Sequence, residues 1–254
     1  MGLRGDQRAR IAVIAVFAAA AAVSACSGSG VFKREYEYEE ELYLALDGSA
    51  TLNVNASIES LNALRGAAFD PDPVARISRD DLRRFFGAGS GSEGGSGSAD
   101  VSVSLARRDG RRFVHATVDV DDVEELGRLA PFSWSEYQLG RRQDAIEFRQ
   151  HIGKPAAAGA SAAWTGEELV AFRMHLPSEI VFHNSQQETQ RGNILEWEQP
   201  LSDRLAGTPL DIEVQLEPTS ILTQTLLLFG STAAAAIATL AGAVWWISRR
   251  RTDG

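Results

Sequence analysis

The sequence predicts an α+β fold: a mostly antiparallel sheet built from hairpins with two or three short helices, plus one C-terminal transmembrane helix. Three observations predict it. Runs that alternate apolar and polar residues come in pairs about Asp47-Gly48 and Asp109-Gly110, dipeptides that supply the positive-φ turn a tight hairpin needs. Short stretches with helix-type spacing and capping residues separate the paired runs. Residues 221–247 then run for 27 positions without a charged side chain.

The first hairpin joins Glu35–Leu46, in which Tyr36, Tyr38, Leu42, Leu44 and Leu46 share one face, to Thr51–Ile58, in which Leu52, Val54, Ala56 and Ile58 do. The second joins Val101-Val103-Leu105 to Val114-Ala116-Val118-Val120, and a third is expected from Trp134–Leu139 to Ile146–Ile152 through Gly140. Three hairpins imply antiparallel pairing. Ser78 is a good N-cap, with Ile77 and Leu82 placed as a staple, and Asp121 with Glu124 resembles a capping box ahead of Leu126 and Leu129. Both mark helix starts. Ile58–Arg65 is a weaker helix candidate, and strands return at Val170–Leu176, Ile180–Phe182, Ile194–Trp197 and Leu210–Leu216. The Gly/Ser stretch 87–98 lacks the Lys-Ser/Thr ending of a phosphate-binding loop and reads as a flexible loop.

The ends of the chain carry the localisation signals. Arg4, Arg8 and Arg10 precede the uncharged segment Ile11–Ala25, the layout of a secretory signal over 1–25. That segment is shorter than the roughly 20 residues a spanning helix needs. It ends at Val23-Ser24-Ala25-Cys26, which resembles the lipobox of bacterial lipoproteins and makes Cys26, the single cysteine, the expected lipidation site. Segment 221–247 is long enough to span a membrane, carries Trp245-Trp246 at its far end, and is followed by the basic tail 248–254 with Arg249, Arg250 and Arg251. The positive-inside rule then puts the C-terminus in the cytoplasm and the domain 26–220 on the periplasmic or extracellular side of a bacterial inner membrane.

With the terminal segments set aside, 19 basic residues face 32 acidic ones, a net charge of about −13. A phosphate backbone is repelled by that field, so no nucleic-acid partner is expected. A Gly-x-Ser-x-Gly elbow, a Ser-x-x-Lys pair and a second cysteine are all missing, and His115, His151, His175 and His183 are scattered singly. The chain is therefore not expected to be an enzyme, nor to carry a metal or cofactor. Acidic runs such as Glu39-Glu40-Glu41 read as solvated strand charges.

The last third adds a resemblance. Phe172-Arg-Met-His-Leu-Pro-Ser-Glu-Ile-Val-Phe182, then His183-Asn184, then Gly192-Asn193-Ile-Leu-Glu-Trp197 and a strand before an anchor, resembles the LppM-type domain of bacterial envelope lipoproteins. Ser178 departs from that pattern, in which a glycine commonly follows the proline. The resemblance covers about 60 residues plus the layout, leaves 60–165 unmatched, and carries over Pro177, Asn184, Asn193 and Trp197 as pattern positions. It implies a non-enzymatic module that binds a lipid-like or hydrophobic ligand. The alternative is a protein-interaction or assembly factor for another inner-membrane protein. The partners expected are membrane lipid, through Cys26 acylation and helix 221–247, and a lipid ligand or membrane protein.

Overall fold

The computed structural model describes residues 36–88, 99–142, 144–156, 164–187 and 193–252, the side chains of 220–224, 227 and 243–252 excepted. Segment 1–25, Cys26 and positions 89–98 of the Gly/Ser stretch lie outside the described residues. Among the described residues ten strands run in chain order as β1 Tyr36–Leu44, β2 Ala50–Ser57, β3 Asp100–Arg108, β4 Arg111–Val120, β5 Ser135–Arg141, β6 Ile146–Ile152, β7 Leu169–His175, β8 Ser178–His183, β9 Ile194–Pro200 and β10 Leu210–Ser220. The helices are α1 Ile58–Arg65, α2 Arg79–Phe86, α3 Leu201–Leu205 and α4 Ile221–Thr252, with a 3-10 turn at Val123–Arg128.

The strands form two sheets. One has six strands in the order β3-β4-β2-β1-β7-β9, the other four in the order β5-β6-β10-β8. The expected antiparallel hairpins are present, but β1 and β7 pair in parallel, Glu41 beside Arg173 and Leu42 beside Met174. That long-range pair is invisible to local turn signals. At the β3–β4 turn Asp109 and Gly110 both have positive φ, 50° and 75°, the two-residue geometry that matches strand twist. In the third hairpin Gly140 lies inside β5, and the chain turns instead at 142–145, where Arg142 N–H donates to Ala145 O at 2.8 Å.

Capping chemistry sets the helix ends. Ser57 and Ser78 accept from the backbone N–H groups of Ser60 and Asp81, and Gly66 closes α1 in the left-handed region at φ 67°. The cap ahead of Leu126 is Asp122 rather than Asp121, and it opens a 3-10 turn in place of an α-helix. One residue makes the difference because Asp122 accepts from Glu124 N–H at 3.0 Å, a two-residue reach that a capping box does not use. Helix α3 is announced by no cap or periodic run in the sequence.

The two sheets face one another across a single core. Leu42, Leu52, Phe172, Met174 and Trp197 from the first meet Tyr137 and Ile212 from the second, and Ile58, Leu61 and Leu64 of α1 with Leu82 and Phe86 of α2 are fully buried in the same cluster. Strand β10 continues to Ser220, four residues beyond the expected end at Leu216, and α4 begins at the next residue. Pro218 is tolerated because β6 pairing has already ended at Leu216, and the β8 register shifts between Leu216 and Ser220. The C-terminal segment is helical over 32 residues. Among the described residues no helix is long and apolar enough to cross a membrane.

Candidate functional site

Three of the four pattern positions, Asn184, Asn193 and Trp197, stitch the sheets together at one corner, and Pro177 lies on the connection between them. The chain leaves the six-stranded sheet at His175, passes through Leu176 and Pro177 into β8 of the other sheet, and returns as β9. Asn184 follows β8 and mimics one more residue of pairing: its backbone N–H donates to Glu213 O at 3.2 Å, and its Oδ1 accepts from Glu213 N–H at 3.0 Å. The same Oδ1 accepts from Trp197 Nε1 at 3.1 Å, which ties β9 to the second sheet. Asn193 adopts φ 55°, a left-handed turn that asparagine tolerates, and its side chain donates to Ser178 O. Asn184 and Trp197 thus meet, Asn193 holds the start of β8, and Trp197 is buried at 5% exposure. These residues build a corner between the sheets.

Between the sheets lies a small cavity. The cavity bounded by Glu40, Tyr137, Gln150, Phe172 and Trp197 measures about 10 Å³, no more than the volume one water needs. A lipid chain does not fit there. Beside it lies a buried polar cluster that sequence reasoning misses. Tyr38 OH donates to Glu40 Oε1 at 2.5 Å, Arg65 Nε donates to Tyr38 OH at 2.7 Å, and Arg65 forms an ion pair with Glu40. The Arg65 guanidinium lies 3.2 Å and that of Arg204 5.0 Å from the Trp134 ring centre. Burial, with Arg65 nearby, pushes the Arg204 pKa down to about 10, and its Nη2 donates to Gly153 O. Glu40 is therefore not one of three solvated strand charges with Glu39 and Glu41. Its parity with Tyr38 and Leu42 along β1 is the signal that it points inward.

An open groove of about 650 Å³ lies at the edge of the six-stranded sheet, against β3. Val74, Ala75, Ile77, Leu105 and Ala106 form its apolar surface, and Arg76, Arg107 and Arg112 line it. Arg112 is 8% exposed and donates to Pro73 O at 2.7 Å and to Ala75 O, which fastens the strap 73–78 to β4. The strap is shaped by Asp70 and Asp72, whose carboxylates accept from Asp72 N–H at 3.0 Å and Val74 N–H at 2.8 Å. No ion pair joins Arg76, Arg107 or Arg112 to a carboxylate among the described residues. The acidic residues of the first turn of α2 are engaged elsewhere, Asp80 with Arg83 and Asp81 with Arg84. A domain with a net charge near −13 therefore carries, among its described residues, a cleft that is both apolar and cationic. Its volume falls within the roughly 300–1,000 Å³ of ordinary ligand sites.

The remaining candidates are simpler. His151 Nδ1 lies 2.6 Å from Asp211 Oδ1 on the exposed face of the second sheet, and His175 stacks on Tyr43 with ring centres 4.0 Å apart. Burial lowers the His175 pKa, so the ring favours its neutral form. Among the described residues no group of three or more His, Cys, Asp or Glu side chains could hold a metal ion.

No family model matches the chain, and no curated protein matches it. Among solved structures, the NMR structure of the folded domain of LppM from Mycobacterium tuberculosis is similar at 12% identity, over 78% of this chain and 99% of that one, with a TM-score of 0.40. This is a weak likeness of fold.

Proposed function

We propose that the chain is a membrane-anchored, non-enzymatic envelope lipoprotein that holds a lipid-like ligand at the outer face of the inner membrane, in the groove against β3. The observation that carries this reading is the composition of that groove, with aliphatic side chains along its surface and, at its sides, three arginines that have no carboxylate partner among the described residues. Aliphatic surface favours an acyl chain, and guanidinium groups favour a phosphate or carboxylate head. The cavity of about 10 Å³ between Glu40 and Trp197 is too small for an acyl chain, which favours the external groove over that position. Anchoring rests on Cys26 and on segment 221–247 as a span. Strand β10 runs into α4 with no intervening residue, so a span there holds the domain against the membrane surface.

The test titrates the detergent-solubilised full chain with a fluorescent lysophospholipid. Binding is expected, and Arg76→Glu with Arg107→Glu should weaken it at least about tenfold, since one charge-assisted contact is worth about 1.5–3 kcal/mol. Binding that is absent, or unchanged by the charge reversal, overturns the groove as the lipid site. Cys26→Ala should in turn abolish incorporation of labelled fatty acid; labelling that survives the substitution excludes acylation at that residue.

A further inference from the structure

The register of β3 against β4 shows what kind of head the arginines of the β3-edge groove suit. On the face turned to the core, Val101 stands opposite Val118, Val103 opposite Ala116 and Leu105 opposite Val114. The same face continues to Arg107 opposite Arg112, and both line the groove. Strand alternation asks for apolar residues at these two positions, and like charges directly opposite one another weaken the pairing of strands. Neither arginine has a carboxylate partner among the described residues, whereas Arg111, one position along β4, pairs with both Glu37 and Glu59. A departure from the local pattern that the fold itself does not offset marks a position kept for a function.

The three arginines offer different things. Arg112 is buried and spends its two Nη groups on Pro73 O and Ala75 O, so it adds charge to the groove while its fork holds the strap. Arg107 and Arg76 are exposed and line the same groove from β3 and from the strap, with their forks open to a ligand. Two open forks beside a third fixed positive charge suit a head with close to two negative charges and three acceptor oxygens, which is a phosphate monoester. A carboxylate brings one charge, and a zwitterionic head carries its own cation into the same field. The apolar surface sets the rest of the ligand. Val74 is 73% exposed, more than any other large apolar side chain outside α4 among the described residues, and it shares the groove with Ile77 and Leu105. A methylene group takes about the volume of a water in the liquid, so a chain of about sixteen carbons fills roughly 480 Å³. A groove of about 650 Å³ therefore takes one such chain and not two.

We propose that the groove selects a single-chain lipid whose head is a phosphate monoester, with Arg76 and Arg107 holding the phosphate and Arg112 adding its charge. This inference rests on the groove being the lipid site proposed above and names the class of lipid that it takes. Charge complementarity selects the head, and the volume of the groove limits the tail.

The test uses the full chain in detergent micelles loaded with the fluorescent lysophospholipid, which is displaced by unlabelled palmitoyl lysophosphatidic acid, palmitoyl lysophosphatidylcholine, dipalmitoyl phosphatidic acid or inorganic phosphate. Lysophosphatidic acid should displace the probe at about a tenfold lower concentration than lysophosphatidylcholine, the value of one charge-assisted contact. The two-chain lipid should be weaker than its single-chain counterpart, and inorganic phosphate at the same concentrations should leave the probe bound. Arg107→Gln relieves the like-charge pair with Arg112, so the variant should fold at least as well as the parent, and it should reduce the preference for lysophosphatidic acid to about twofold or less. Arg128→Gln, an exposed arginine outside the groove, should keep the full preference. Equal displacement by the two lysolipids overturns the phosphate monoester while leaving the groove as a lipid site, and equal displacement by the two-chain lipid overturns the single chain. Displacement by inorganic phosphate as effective as that by lysophosphatidic acid overturns a lipid as the source of the phosphate. A probe that never binds the parent chain overturns both this inference and the reading on which it rests.

Discussion

Strand β1 carries the same three chemistries on both of its sides, and the two sides treat them differently. Inward, Tyr38 and Glu40 meet Arg65, which forms an ion pair with Glu40 under the aromatic rings of Trp134 and Phe132, with Arg204 on the Trp134 ring beside it. Outward, Tyr36, Glu39 and Glu41 meet one arginine, Arg173, and Glu196 and Glu198 join them. The inner cluster joins Arg65 of α1 to Tyr38 and Glu40 of β1, with Arg65 Nη1 left without a hydrogen-bond partner, so it specifies how β1 packs on α1. The outer cluster gathers three carboxylates, those of Glu39, Glu41 and Glu196, onto the partly exposed Arg173. A tyrosine, glutamate and arginine together therefore do not reveal whether they are buried or exposed until the fold is known.

The largest effect should come from breaking the inner pair. Glu40→Gln leaves Arg65 buried without its counter-charge and should cost about 3–5 kcal/mol in denaturant unfolding, whereas Glu40→Leu combined with Arg65→Met should recover most of the loss. A loss under about 1 kcal/mol for the single change would mean that the pair is solvated. Next in size is the corner between the sheets: Asn184→Ala strips partners from Trp197 Nε1 and Glu213 N–H and should cost about 1–3 kcal/mol. Its signature is faster amide exchange in both β9 and β10; exchange confined to one strand would show that the corner does not couple the sheets.

The smallest effect is a pH dependence of the outer cluster. Burial holds the Glu39 carboxyl above the ordinary glutamate value of 4.5, with Arg173 opposing and Glu41 adding to the rise. For an acid raised in the folded state, the stabilisation is present at low pH and is lost as pH climbs through the folded-state pKa. Relative to Glu39→Gln, the parent chain should thus gain stability as pH falls from about 7 toward that ordinary value. A difference between the two that is flat with pH, measured by thermal melts, contradicts the crowding.

Much of the fold is legible in the sequence because it is written in local signals. Alternation about Asp47-Gly48 and Asp109-Gly110 locates four strands, and Ser78, expected as an N-cap, is a side-chain cap in the structure. The features that stay hidden are non-local. Nothing near Glu41 or Arg173 announces that their strands pair in parallel, 132 residues apart. Nor does the last third announce that β8 and β10 belong to a second sheet. Of the pattern positions, Asn184, Asn193 and Trp197 make hydrogen bonds that join the sheets, contacts that a motif alone does not display. The groove escapes sequence reading because its parts, Arg76, Leu105 and Arg112, come from three separate segments, and only the fold brings them together.

Whether the groove against β3 holds a lipid is decided most directly by native mass spectrometry of the full chain, gently extracted from membranes. A bound lipid mass is expected on the parent protein, and it should disappear from the variant carrying Arg76→Glu and Arg107→Glu, with the fold unchanged by circular dichroism. A protein that leaves the membrane without lipid, or a variant that retains the same lipid at the same occupancy, would contradict a lipid site in that groove.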